Sequence, residues 1–276
     1  MAHCFLNGRI VPLSKASVSV QDIGVLRGFG LFEALRTYNR KPFHLKDHLA
    51  RLKNASARFD VHIPFSDAKI SQAIDTLVAK NVPKNKEANI RIILTGGQAF
   101  HTIEHDPKKP TFFILTEKFK PFLALYYQEG CALLVQEFQR QFPEYKTTNY
   151  IEAVSLQKKM KQVGALEILY VADGRVRECS TSNIFIVKRG VLITPRKKIL
   201  EGITRKVVLE EAMRVHVRSK ERDISVQELY EADEVFITSS FKEVVPVVKV
   251  GTRRIGSGTV GPITKRVMDL FRAATK

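Results

Sequence analysis

Glu144-Tyr145-Lys146-Thr147-Thr148-Asn149-Tyr150 sets a lysine between a strand-like stretch and a helix-like one. Nothing local marks Lys146 out among the 45 lysines and arginines of the chain. Three further stretches give it company. Glu178-Cys179-Ser180-Thr181-Ser182-Asn183 places a carboxylate ahead of small polar residues, just after a hairpin signal. Leu200-Glu201-Gly202-Ile203-Thr204-Arg205 is a glycine-containing entry to a helix, where open backbone N–H groups and the positive end of the helix dipole suit a phosphate. Thr204 adds a hydroxyl there, and Thr238-Ser239-Ser240, following Val235-Phe236-Ile237, adds more.

Around these stretches the chain alternates strands and helices without a strict repeat. Residues 3–13 read as a hairpin turning at Asn7-Gly8. Residues 29–38 read as a strand, and Leu45 to Phe59 as a helix, with Leu45, Leu49, Leu52, Ala55 and Phe59 on one face. A second helix follows Ser66; Asn89 to Leu94 and Thr111 to Leu115 are strand-like. Residues 116–130, with Lys118, Lys120, Pro121 and Gly130, carry the crossing to a second domain.

Beyond that crossing, one helix is predicted from Ile151 to Val163, ended by Gly164. Hairpins turn at Asp173-Gly174 and Arg189-Gly190. Ser225-Val226-Gln227-Glu228 has the form of a capping box, and Pro262 opens a final helix. The expected fold class is α+β in two domains: a small N-terminal α/β domain over 1–118, a linker over 119–129 and a larger strand-rich domain over 130–276.

Composition narrows the class. Hydrophobic residues make up 44 % of the 276, enough for a packed core. No apolar run approaches the roughly 18 residues that span a bilayer, and no secretion signal opens the chain, so no membrane partner and a cytoplasmic location are expected. Cys4, Cys131 and Cys179 are scattered and form no C-x-x-C pair, which argues against both a disulfide framework and a zinc site. The formal charge of +17 raises nucleic-acid binding. The basic residues are nevertheless spread along the chain, with no interleaved aromatic platform, so no nucleic-acid partner is expected. A positive field also suits anionic substrates and a phosphorylated cofactor.

It is the order of the stretches that is specific. Lys146, Asn149-Tyr150, Glu178 to Asn183, Ser182-Asn183-Ile184-Phe185, Gly202-Ile203-Thr204-Arg205, Ala232 to Thr238 and Gly261-Pro262-Ile263-Thr264 together resemble the class IV, or fold-type IV, pyridoxal-5'-phosphate (PLP) transaminases. The likeness covers nearly the whole chain. It implies that Lys146 carries the cofactor as a Schiff base and shuttles a proton once substrate displaces it. It implies that Glu178 faces the pyridine nitrogen, that Tyr150 bonds the cofactor's 3'-oxygen, and that Arg51, Ile203, Thr204, Ser239 and Ser240 hold the phosphate. A homodimer with sites at its interface is implied as well.

An amino-acid substrate brings an α-carboxylate, which needs a cation or several donors once desolvated. Arg27, in Val25-Leu26-Arg27-Gly28-Phe29-Gly30, Arg91 on its strand, and Lys242 in Ser240-Phe241-Lys242-Glu243 are candidates, with Phe32 as a further substrate contact. In this fold the loop holding Arg27 enters the partner's site. Leu26-Arg27-Gly28-Phe29-Gly30 together with Arg91 and Leu94-Thr95-Gly96-Gly97 resembles a divergent group of D-amino-acid transaminases that bind the carboxylate through two arginines. The expectation is exchange between a D-amino acid and a 2-oxo acid. A branched-chain L-aminotransferase is the main alternative. Aminodeoxychorismate lyase, (R)-amine transaminase and a non-enzymatic nucleic-acid binder stand behind it.

Overall fold

The computed structural model describes residues 2–276. Backbone packing separates the chain into two compact units. The first runs to Lys120 and takes back Tyr145–Tyr150; the second holds Pro121–Glu144 and Ile151–Lys276.

The first unit contains β1 (His3–Leu6), β2 (Arg9–Pro12), α1 (Ile23–Arg27), β3 (Gly30–Tyr38), β4 (Lys41–Pro42), α2 (Leu45–Arg58), α3 (Asp67–Asn81), β5 (Ala88–Thr95), β6 (Ala99–Phe100), β7 (Glu104–His105) and β8 (Thr111–Lys118). Six strands form an antiparallel sheet in the order β2-β1-β8-β5-β3-β4, while β6 and β7 make a separate hairpin. Period-2 alternation sends Leu31, Leu35, Ile90, Ile92, Leu94, Phe112 and Ile114 to one face, where Leu49 and Leu52 of α2 and Ile70, Ile74 and Leu77 of α3 cover them. The other face carries Phe32, Ala34, Arg91 and Ile93, with Phe32 opposite Ile93 and Ala34 opposite Arg91.

The second unit contains α4 (Ala124–Gln128), β9 (Cys131–Glu137), α5 (Ile151–Ser155), α6 (Gln157–Gln162), β10 (Glu167–Ala172), β11 (Arg175–Cys179), β12 (Asn183–Lys188), β13 (Val191–Thr194), α7 (Ile203–Arg214), β14 (Ser219–Glu221), α8 (Val226–Tyr230), β15 (Glu234–Ser239), β16 (Glu243–Val250), β17 (Arg253–Arg254) and α9 (Pro262–Ala274). Its mixed nine-stranded sheet runs β11-β10-β9-β16-β15-β12-β13-β14, with β17 on β16. Ile184, Ile186, Val235, Ile237, Val245 and Val247 are among its buried core residues.

Three features differ from the sequence expectation. The stretch expected as a linker, 119–129, contains helix α4, and Tyr145–Tyr150 belongs to the first unit although it lies inside the expected second domain. The helix expected from Ile151 to Val163 is broken at Leu156 into α5 and α6. The cause is local. Ser155 Oγ donates to the Glu152 carbonyl at 2.8 Å and Gln157 Nε2 to the Ala153 carbonyl at 3.1 Å, so side chains take acceptors that a straight helix would use. Ala153 is the lone buried residue of the two helices, so packing does not enforce continuity.

Candidate active site

In the first unit, the segment around Lys146 runs along the open edge at the start of β3. The Phe32 N–H donates to the Lys146 carbonyl and the Thr148 N–H to the Gly30 carbonyl, both at 2.9 Å. The Thr148 hydroxyl donates to the Gly28 carbonyl at 2.9 Å. Gly30 permits this approach, because a Cβ there would lie 2.9 Å from Thr148 Oγ1. Lys146 Nζ sits 4.4 Å from the centroid of Phe32, and Tyr150 meets the same ring at 5.7 Å, edge-on. Lys146, Tyr150 and Phe32 therefore form one cluster.

Arg51 stands on α2, its expected helix, and is held by Glu33. Arg51 Nε donates to Glu33 Oε1 at 2.8 Å and Arg51 Nη2 to Oε2 at 2.7 Å. His48 Nδ1 lies 2.7 Å from Oε2. Burial alone would raise the Glu33 pKa, but the charge and hydrogen bonds of Arg51, together with His48, bring it down to about 2. Burial lowers the His48 pKa against the pull of Glu33, and the charges of Arg51 and Lys146 lower it further. His48 is thus neutral, and its Nδ1–H donates to Glu33. Neither Glu33 nor His48 had been assigned a role from sequence. The signal was there: Glu33 occupies a core-facing position between Leu31 and Leu35, and His48 and Arg51 lie three apart on one helix face.

The three candidate carboxylate ligands have different surroundings. Arg27 ends α1, exposed, with Nη1 donating to the Leu26 carbonyl at 2.9 Å. A residue without a sequence assignment holds that helix. Buried Asp22 accepts from the Gly24 N–H at 2.7 Å and the Thr95 hydroxyl at 2.8 Å, and also from the Thr111 hydroxyl. Arg91 lies on the same sheet face as Phe32, 44 % exposed, with Nη1 on Glu117 Oε1 at 2.9 Å. Lys242, in the second unit, was expected to offer its charge to a substrate. Its side chain is buried there: Nζ donates to Thr181 Oγ1 at 2.6 Å and pairs with Glu167 Oε2 at 3.1 Å. Glu167 also accepts from the Ser182 hydroxyl at 2.8 Å and from the Thr181 backbone.

Glu178 is the penultimate residue of β11 and is buried. Its Oε1 accepts from Arg140 Nε at 3.0 Å, and its Oε2 from the Leu200 N–H at 3.0 Å and Asn183 Nδ2 at 3.4 Å. The Asn183 amide also donates to the Leu200 carbonyl at 2.7 Å, which anchors the turn into α7. At that turn Gly202 is the N-cap and no side chain caps the helix, so the first-turn N–H groups at Ile203 and Thr204 are not taken by a cap. A Cβ on Gly202 would collide with Asn183 Oδ1. Ser239 ends β15, and its hydroxyl accepts from the Lys242 N–H at 3.3 Å; Ser240 follows it in the turn to β16.

Each unit, taken by itself, carries groups that suit part of a cofactor with an aldehyde, a basic ring nitrogen and a phosphate. Lys146 offers an amine, Glu178 an acceptor, and α7 an N-terminus without a side-chain cap beside the Thr204 hydroxyl. Among the described residues no cluster of His, Cys, Asp and Glu could hold a metal ion, and no helix is long and apolar enough to cross a membrane.

Comparison with known proteins agrees with this chemistry. The family model for amino-transferase class IV matches residues 30–250. A Methanocaldococcus jannaschii protein with a provisional branched-chain-amino-acid aminotransferase name is 34 % identical over 280 residues, covering 97 % of this chain and 94 % of its own. The D-alanine aminotransferase of Listeria innocua is 32 % identical over 272 residues, covering 96 % and 93 %. Among solved structures, a T.th. branched-chain amino acid aminotransferase with pyridoxamine 5'-phosphate superposes with a TM-score of 0.92 at 27 % identity, over 99 % of this chain and 94 % of that one. The branched-chain aminotransferase of Thermoproteus uzoniensis with norvaline gives 0.90 at 28 %, with the same coverage.

Proposed function

Because the chain belongs to the class IV aminotransferases and has their fold-type IV architecture, we propose that it uses PLP to exchange an amino group between a D-amino acid and a 2-oxo acid. The observation that carries the substrate class is the pair of arginines in the first unit, Arg27 at the end of α1 and Arg91 on the sheet face of Phe32. Two guanidiniums can clamp an α-carboxylate from two sides. Lys242 pairs with buried Glu167, whereas the pair of Arg91 with Glu117 is about half exposed.

Each residue then has a task. When bound, PLP supplies the electron sink that makes the substrate α-carbon acidic. Lys146 Nζ takes the proton from that carbon and returns it. Glu178 would accept the hydrogen bond of the ring nitrogen, and Tyr150 would donate to the ring oxygen. Arg51, held rigid by Glu33, would offer the phosphate a guanidinium, and the amides and hydroxyls of Ile203, Thr204, Ser239 and Ser240 would offer it neutral donors. Phe32 packs beneath the Lys146 amine and limits water there.

A homodimer suits the surface of the first unit. Val20, Val25, Leu26, Phe100 and Ile103 are exposed. The Ala99 N–H donates to the Gln21 carbonyl and the Ile23 N–H to the Gly97 carbonyl, which brings the two segments bearing them together. A second copy covering this patch would carry Arg27 to its partner's site. Buried, unpaired Cys4, Cys131 and Cys179 suit the reducing cytoplasm.

A branched-chain L-amino acid is the second reading, favoured by the apolar neighbours Phe32, Ala34 and Ile93 on the sheet face. The test is the visible spectrum of the PLP form with D-alanine, D-glutamate or L-leucine added singly. Conversion to the pyridoxamine form by the D-amino acids is expected; conversion by L-leucine alone sinks the D-specific reading. Acceptor-free release of pyruvate from aminodeoxychorismate would instead mark a lyase.

A further inference from the structure

Arg140 precedes Lys146 by six residues in the sequence and has no task in the assignment above. Its guanidinium is placed with care. Nε donates to Glu178 Oε1 at 3.0 Å, and Nη2 donates to the Pro143 carbonyl. Only 12 % of the Arg140 side chain and 6 % of the Glu178 side chain are exposed. The two oxygens of Glu178 therefore differ. One faces a full positive charge, and the other faces two neutral N–H dipoles, from Leu200 and Asn183.

A carboxylate that secures a ring proton does so more strongly when no other cation shares it. Burial makes the sharing count, because the pair is weakly screened. Other ionisable groups lie around the end of β11, among them Arg177, which pairs with Asp173 at 3.2 Å. The Cys131 and Cys179 thiols are neutral, and Glu167 and Lys242 offset each other. Lys198 and Glu201, on the segment carrying Leu200, are exposed.

We propose that Arg140 is a positioning residue that tunes the charge of Glu178. It fixes the carboxylate from the side of Oε1 and draws off part of its negative charge, so the ring nitrogen's proton is held less tightly than Glu178 alone would hold it. This rests on the assignment of Glu178 to the ring nitrogen.

The experiment is a pH titration of the visible absorption of the PLP-loaded protein for the unsubstituted chain, R140K and R140Q. Removing a cation near the bound cofactor favours the cofactor's protonated form. The pH of the colour change in R140Q is therefore expected to rise by at least about half a unit, while R140K, which keeps the charge, stays within about 0.2 units. R140M keeps the volume of the side-chain stem and replaces R140Q if that variant does not fold, with the same expected rise. An unchanged titration in the neutral variant, with only its melting temperature lowered, overturns the proposal. An equal shift in R140K overturns it too, since charge would not be the cause. If the unsubstituted chain binds PLP without a visible band, it is the cofactor assignment that fails, and this is seen before any variant is made.

Discussion

Glu33 grips the guanidinium of Arg51 through two parallel hydrogen bonds, Nε to Oε1 at 2.8 Å and Nη2 to Oε2 at 2.7 Å. This fork fixes the guanidinium plane, which a lysine could not reproduce. R51Q leaves a buried carboxylate without its cation. A loss of about 3–5 kcal/mol is expected in urea unfolding, together with at least about tenfold weaker PLP binding. R51K should recover part of the stability and little of the affinity. A variant that keeps both would remove Arg51 from the phosphate.

The same cluster sets an acid limit on stability. The folded-state pKa of Glu33, about 2, lies below its ordinary 4.5, so its contribution is full above pH 4.5 and is lost as pH falls toward 2. The size is on the order of 3 kcal/mol. The His48 pKa is also lowered, so its contribution begins to fall below its ordinary 6.5. Urea midpoints should drop between pH 7.5 and 5.5 and again toward pH 3.5. In H48Q the first drop should shrink and the second remain.

Lys242 and Glu167 form a buried pair whose members depend on each other. K242M should cost about 3–5 kcal/mol, because it strands Glu167 among the hydroxyls of loop 180–182. The double variant E167Q/K242M should regain most of that. Additive losses in the double variant would mean the two side chains act separately.

Lys146 is the proposed Schiff-base lysine. K146A should lose the visible band that forms with PLP and at least about 10^3-fold of the amino-acid half-reaction rate. Stopped-flow spectra measure both. R91Q should slow amino-acid half-reactions much more than those of primary amines, and equal slowing would count against a carboxylate clamp.

The thiols should be quiet. Burial, aided by the charge of Glu167, pushes the Cys131 pKa up to about 12 and that of Cys179 well above its ordinary value; burial raises Cys4 as well. Iodoacetamide at pH 8 should label none of the three in the folded protein and all three in urea, counted by mass.

Much of the fold was written locally. Asn7-Gly8, Asp173-Gly174 and Arg189-Gly190 all have the positive φ of tight hairpin turns, which these residue types tolerate. Helices α2 and α3 follow from three- and four-residue apolar spacings. What stayed hidden lacks a local cause. Tyr145–Tyr150 joins the first unit by pairing with a strand edge more than a hundred residues earlier, and no short-range pattern marks that. The ordered motifs picked out Lys146, Tyr150, Glu178 and Thr204. The charges that hold the candidate residues in place, Asp22, Glu33, Arg140 and Glu167, were missed, because a buried ion's partner is fixed by packing and not by spacing.

The late return of Tyr145–Tyr150 has a consequence for how the protein is made. The start of β3 keeps an unpaired edge until residues 146–148 arrive to fill it. A nascent chain of 120 residues therefore exposes an open template for strand addition. Synthesis must run some thirty residues further, and those must clear the ribosome, before the edge is sealed. The segment that seals it carries Lys146, so the first unit completes its sheet and gains its proposed Schiff-base lysine in one event.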